Sequence, residues 1–237
     1  MHTLNHTHDA QARSWLTAAN ASGCDFPIQN LPFAVLRPAG TQQPFRGAVA
    51  IGDQALDLAA LARAGVLPAA AQTAALAGAQ AQLNALMALG PSAWSALRHA
   101  LFALLQHHAS AADQAALRAC LIPLAEVEYA LPTRIGDYTD FYTSLDHARN
   151  CMRIMYPDGD ATPNFRWMPQ AYHGRASSVA VSGQQFRRPM GQSLPPGQPS
   201  PVFAPCARLD YELEIATWIG QGNPAGDAVA LDAAESH

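Results

Sequence analysis

The sequence predicts an α+β fold that is mostly β outside one helical block. Three observations carry that prediction. Phe45–Ile51 and Gln54–Leu58 flank a Gly52-Asp53 pair and read as a β-hairpin. An alanine-rich stretch runs from Ala55 to Ala130, and its pattern is helical between Leu58 and Cys120. Near Ile122 alanine thins out while aromatic, Gly, Pro and Arg residues become denser, which places a boundary over Pro123–Pro132. The expected organisation is a polar tail with a short helix over 1–24, a first domain over 25–122, a linker over 123–132 and a second domain over 133–237.

Each element has its own warrant. The short helix is expected around Ala12–Ala19. Phe26–Arg37 is apolar but interrupted by Pro27 and Pro32, which suits an edge strand. Helices are expected near Ala59–Ala64, Ala69–Leu89, Ser92–Gln106 and Ala111–Cys120, with Ser92 as an N-cap behind Pro91. In the second region a helix is expected from Ser144 to Met155 and a strand over Ser177–Ser182. A flexible segment follows over Gln192–Pro201, its Pro195–Pro201 part low in complexity. A strand is expected over Tyr211–Ile219, stopped by Gly220 and Gly222. Asp232-Ala-Ala-Glu235 reads as a capping box opening one more helix.

Composition excludes several chemistries. The chain has 237 residues and a formal net charge of −4, so it lacks the cationic footprint that nucleic acid requires. All 14 positive charges are arginine, which excludes a Schiff-base lysine and a P-loop from this stretch. Apolar residues at 49% against 14% charged indicate a globular rather than a disordered chain. Cys24, Cys120, Cys151 and Cys206 form no C-x-x-C pair, which argues against a zinc or redox motif and for a reducing, cytoplasmic setting. No apolar run is long enough to span a bilayer, and the N-terminal residues lack a signal-peptide core. His2, His6 and His8 read as tail residues, and His99, His107 and His108 as ordinary residues of the helical block.

The residues that bear chemistry lie after the boundary. In a strand over Tyr211–Ile219, Glu212 and Glu214 share one face and Leu213 and Ile215 the other. Two like charges so close imply either a solvated face or a cation between them. Asp137 and Asp140 are candidates for a third carboxylate. An all-oxygen set of this kind suits Mg²⁺ or Ca²⁺. His147 follows on the next helix and is either a base that activates water or a helix histidine with one hydrogen bond. Within Tyr172–Ser178, His173 and Arg175 either bind an anion or anchor a loop, and Gly174 permits an unusual backbone angle or a close approach. Arg187 and Arg188 pair either with internal carboxylates or with a substrate carboxylate.

Several runs resemble the fumarylacetoacetase family: IGDYTDFYTSLDHA (Ile135–Ala148), YHGRASSVAVSG (Tyr172–Gly183), RRPMGQ (Arg187–Gln192) and LDYELE (Leu209–Glu214). DFPIQNLPF (Asp25–Phe33) and VAIGDQALDL (Val49–Leu58) resemble its N-terminal domain, and the similarity runs in order from Trp15 to Gly226. The resemblance implies an SH3-like β-barrel domain with helices, then the first part of a β-rich catalytic domain of a homodimeric enzyme. It implies hydrolysis of a carbon–carbon bond in a β-diketo acid, fumarylacetoacetate, to fumarate and acetoacetate, with Ca²⁺ or Mg²⁺ as cofactor. The alternatives are a related metal-dependent acylpyruvate hydrolase or decarboxylase, and a non-enzymatic truncated scaffold. By motif position the metal ligands are Asp140, Glu212 and Glu214, the base is His147, and Tyr142 and Tyr172 contact substrate. Asp137 becomes a structural residue. Pro157 stands near the place of the family's substrate-binding arginine, for which Arg153 is an unaligned candidate substitute. The family's fourth metal ligand, its histidine-orienting glutamate and its oxyanion arginine, glutamine and lysine belong to motifs beyond His237. The expectation is a chain that stops inside a domain and has little activity alone.

Overall fold

The computed structural model describes residues 4–237; His2 lies outside the described residues. Two compact units emerge: one spans the chain up to Pro132 together with Val181–His237, the other Thr133–Ala180.

The first unit is organised by a five-stranded antiparallel sheet. Its strands are β1 (Phe33–Pro38), β2 (Arg46–Ile51), β3 (Gln54–Asp57), β4 (Leu121–Pro123) and β5 (Val127–Ala130), in the order β4-β3-β2-β1-β5. The expected hairpin joins β2 to β3. Gly52 takes a φ of +60° there, as the first position of a two-residue II′ turn requires. A side chain at Gly52 would stand 2.7 Å from the backbone nitrogen of Ala19, so the turn is both conformationally and sterically specific to glycine.

Between β3 and β4 lie α1 (Leu58–Ala64), α2 (Ala69–Gly78), α3 (Asn84–Met87), α4 (Pro91–Leu105) and α5 (Ala111–Arg118). Asp57 caps α1 by accepting from the amides of Ala59 and Ala60, and Ser110 caps α5 through the amide of Asp113. Gly65, at a φ of +72°, ends α1 in the left-handed conformation. Period-two alternation sorts the sheet residues into two cores. Val35, Val49, Ile51 and Leu56 join Leu58, Leu61, Leu97, Leu101, Leu105 and Leu117 from the helices. Leu36, Ala48 and Ala55 form a smaller second cluster, backed by Ala34, Ile122, Leu124 and Val127.

Several expectations are corrected. The strand in Phe26–Arg37 starts only at Phe33 and is internal, between β2 and β5; Pro27 and Pro32 precede it, so neither removes a ladder donor. No α-helix forms over Ala12–Ala19. Asn20 accepts from the Ser14 amide, and the Ser14 hydroxyl donates to the Leu105 carbonyl, so side chains take the bonds a helix would use. Only a short 3₁₀ turn, Thr17–Asn20, remains. The helix expected over Ala69–Leu89 breaks after Gly78, where the Gly47 amide donates to the Gln80 carbonyl. Gly90, not Ser92, caps α4, and Pro91 occupies its first turn. The stretch over 123–132 carries the end of β4 and all of β5.

The chain from Val181 onward contains one hairpin, β8 (Met190–Ser193) with β9 (Val202–Pro205), closed by the Pro-rich loop over 194–201. The strands expected over Ser177–Ser182 and Tyr211–Ile219 are not formed. Ala176–Ser178 is a 3₁₀ turn, and Tyr211–Ile219 has no ladder partner among the described residues, leaving Leu213 and Ile215 almost wholly exposed. The end of the chain is a 3₁₀ turn, Leu231–Ser236, capped at Ala230. Asp232 sits inside it, so the expected capping box is not made. Among the described residues no helix is long and apolar enough to cross a membrane.

Candidate functional site

The unit Thr133–Ala180 holds four of the six side chains that the motifs single out. Its small ladder pairs β6 (Thr139–Phe141) with antiparallel β7 (Ala171–His173). Asp140 and Tyr172 are direct cross-strand partners, and the Tyr172 hydroxyl donates to Oδ2 of Asp140 at 2.8 Å. One register step away, His173 Nε2 approaches Asp137 Oδ1 at 3.4 Å, both side chains largely exposed. The amides of Tyr142 and Gly174 extend the ladder to the Gln170 and Tyr138 carbonyls.

Gly174 is a glycine because of close approach. A Cβ there would fall 1.9 Å from the Tyr138 ring, so the neighbour that requires the glycine belongs to the protein itself.

The helix expected from Ser144 is α6 (Leu145–Met155). Ser144 caps it, its hydroxyl accepting from the His147 amide at 3.2 Å. Asp146 in the first turn and Arg153 in the last complement the helix dipole. His147 therefore sits in the first turn, its backbone fixed by the cap. The Tyr142 ring meets its imidazole edge-on, with centroids 5.3 Å apart and planes at 85°. Phe165, from the 3₁₀ turn Pro163–Arg166, meets Tyr142 in the same way at 5.5 Å and 89°. One helical turn beyond His147, Cys151 Sγ lies 3.8 Å from Nδ1 and 3.7 Å from Nε2.

An ion pair braces the middle of α6, where Arg149 Nε donates to Asp160 Oδ1 at 2.9 Å. The Ala161 amide first, and then Arg149, hold the Asp160 carboxyl below the ordinary aspartate range. Arg153 is exposed near the turn at Pro157.

Glu212 and Glu214 belong to the other unit, exposed on the irregular stretch that follows β9. Asp140, Glu212 and Glu214 offer only oxygen donors, a chemistry that fits a hard divalent cation. Among the described residues no group of three or more His, Cys, Asp or Glu side chains is gathered into a metal centre. Of the basic cluster, Arg188 donates to the Cys206 carbonyl at 2.7 Å, bracing the β8–β9 hairpin. The residues that motif reading passed over are Phe165 and Cys151. The i, i+4 spacing from His147 to Cys151 was the available signal for the second.

Comparison with known proteins meets the chain here. Residues 29–132 match the family model described as fumarylacetoacetase N-terminal. The chain is 44% identical over 227 residues to the fumarylacetoacetase of Oryza sativa subsp. japonica, covering 92% of this chain and 52% of that one. It is 42% identical over 221 residues to the fumarylacetoacetase of Homo sapiens, with the same coverage of both. It is 39% identical over 219 residues to that of Arabidopsis thaliana, covering 91% of this chain and 52% of the relative. The chain spans about half the length of the curated relatives it matches. Over that shared span, the chain belongs to the fumarylacetoacetase family.

Proposed function

We propose that the protein is a fumarylacetoacetase, which adds water across a carbon–carbon bond of fumarylacetoacetate to give fumarate and acetoacetate. In this reading residues 25–122 are the N-terminal domain and residues 133–237 the first part of the catalytic domain. The observation that carries it is local. Asp140 with Tyr172, and Tyr142 with His147, pair off within one small unit, inside the span shared with the relatives.

In this mechanism His147 removes a proton from water, and the hydroxide adds to a substrate carbonyl. The carbon–carbon bond then breaks, the electron pair leaves with the acetoacetate fragment, and the proton held on His147 returns to that carbon. Tyr142 and Tyr172 flank the substrate. Asp140, Glu212 and Glu214 would hold Ca²⁺ or Mg²⁺, which when bound supplies positive charge at the diketone oxygens. A homodimer acting in the cytoplasm completes the proposal.

The N-terminal sheet is read as a small SH3-like barrel, for a geometric reason. In a flat sheet β4 and β5, at its two edges, would stand roughly 19 Å apart. They are joined only by the turn Leu124–Glu126, and four chain steps reach at most about 15 Å. This short connection supports a curled sheet, in which the second cluster of Leu36, Ala48 and Ala55 would line the inner side.

The test is turnover in a protein carrying the full length of the relatives. His147→Ala should abolish cleavage of fumarylacetoacetate while leaving Mg²⁺ and Ca²⁺ binding by calorimetry intact. Turnover equal to that of the parent enzyme would refute the role. The 237-residue chain alone should cleave little or none.

A further inference from the structure

We infer that Cys151 is a positioning residue: its thiol covers one face of the His147 imidazole and, with Tyr142, fixes the plane of that ring. The inference rests on the proposed role of His147 as the base.

Its geometry is specific. Sγ is almost equidistant from Nδ1 and Nε2, at 3.8 and 3.7 Å. A thiol bonded along one ring nitrogen's axis would be much farther from the other. Equal distances place the sulfur over the ring, where it makes a weak polar contact with the π face. Tyr142 meets the same ring edge-on and is itself met edge-on by Phe165. The imidazole thus touches two side chains, Tyr142 from the loop after β6 and Cys151 from its own helix, and Phe165 of the turn Pro163–Arg166 backs Tyr142.

Packing is what orients the ring in this unit. Among the described residues no carboxylate or carbonyl oxygen bonds to either His147 ring nitrogen. The Ser144 cap fixes the backbone of His147 but not its side-chain torsions. A face contact sets the ring plane and leaves the in-plane nitrogens to water or to an orienting carboxylate. Base catalysis needs that division, because the working nitrogen must point at the water it deprotonates. Cys151 is half-buried on a helix, where alanine is well tolerated, so removal of the thiol can be tested without unfolding α6.

The first experiment is NMR of the 237-residue chain, reading cross-peaks between the ring protons of His147 and Tyr142. Cys151→Ala should lose them as the imidazole samples a second rotamer. Cys151→Val, which refills the space, should retain them, and circular dichroism should show α6 intact in both. The second is kinetics in a protein of the relatives' full length. There Cys151→Ala should lower kcat by roughly 10- to 100-fold with KM held, and Cys151→Val should restore it. Unchanged cross-peaks in Cys151→Ala overturn the inference, as does unchanged kcat once the cross-peaks are lost. If His147→Ala retains turnover, it is the base assignment that fails, and the cross-peaks still decide whether Cys151 holds the ring.

Discussion

Tyr172 donates its hydroxyl to Asp140 Oδ2 at 2.8 Å, directly across the β6–β7 ladder. The carboxylate proposed to meet a cation is thereby held by a phenol proposed to meet substrate. Tyr172→Phe keeps the ring and deletes the donor. Because the bond is exposed, the local cost is about 1 kcal/mol or less. Hydrogen exchange should quicken a few-fold at the Tyr142 and Gly174 amides, which flank the pair on the ladder. Unaltered exchange would show that the bond does not brace β6 and β7.

Gly174→Ala should be far more damaging than its size suggests. The added methyl would lie far inside van der Waals contact with the Tyr138 ring, with ring carbons 1.9 and 2.0 Å from the new Cβ. The ring must leave, at a cost of about 1–3 kcal/mol. Altered Tyr138 ring shifts together with a lower denaturation midpoint would verify it.

Asp57 carries two duties, capping α1 and pairing with Arg46, with its side chain nearly buried. Asp57→Ala should destabilise the first unit by about 3 kcal/mol, since it deletes the cap and strands a half-buried guanidinium. Asp57→Asn keeps a capping oxygen and should lose less. Urea midpoints of the two variants against the parent decide the point.

Burial, and then the negative charge of Asp57, push the Cys120 thiol above its ordinary range; Arg63 opposes them. At neutral pH Cys120 should therefore be the last of the four thiols to react with an aromatic disulfide reagent. The linkage has a definite sign. Once pH rises past the ordinary thiol range the unfolded chain ionises first, so stability falls with pH until the folded thiol also ionises. Cys120→Ala should remove that alkaline slope, measured as denaturation midpoints across the thiol range.

What could be read from the sequence was what short-range chemistry decides. Gly52-Asp53 sets the hairpin and Ser144 opens α6. Reading failed where a distant partner decides. Tyr211–Ile219 alternates like a strand, yet a strand requires a neighbour, and none pairs with it among the described residues. Pro27 and Pro32 argued for an edge, but the strand begins beyond both and lies inside the sheet. Ala12–Ala19 has helical composition, yet the Ser14 and Asn20 side chains and the distant Leu105 carbonyl capture its backbone. At the site, the contact of Asp140 with Tyr172 depends on the register of strands 32 residues apart, which no local pattern encodes.

The connection between β4 and β5 also bears on how the first unit folds. β1, β2 and β3 are neighbours in sequence and can zip locally. β4 and β5 can join them only after residues 58–120 have brought the chain back. Both sheet edges therefore close at once, in a single long-range event, and the helices must shorten that excursion before it can occur. Slow refolding of the first unit should track the helical block, and an early-paired β1–β2–β3 meander should expose its apolar faces until the last two strands arrive.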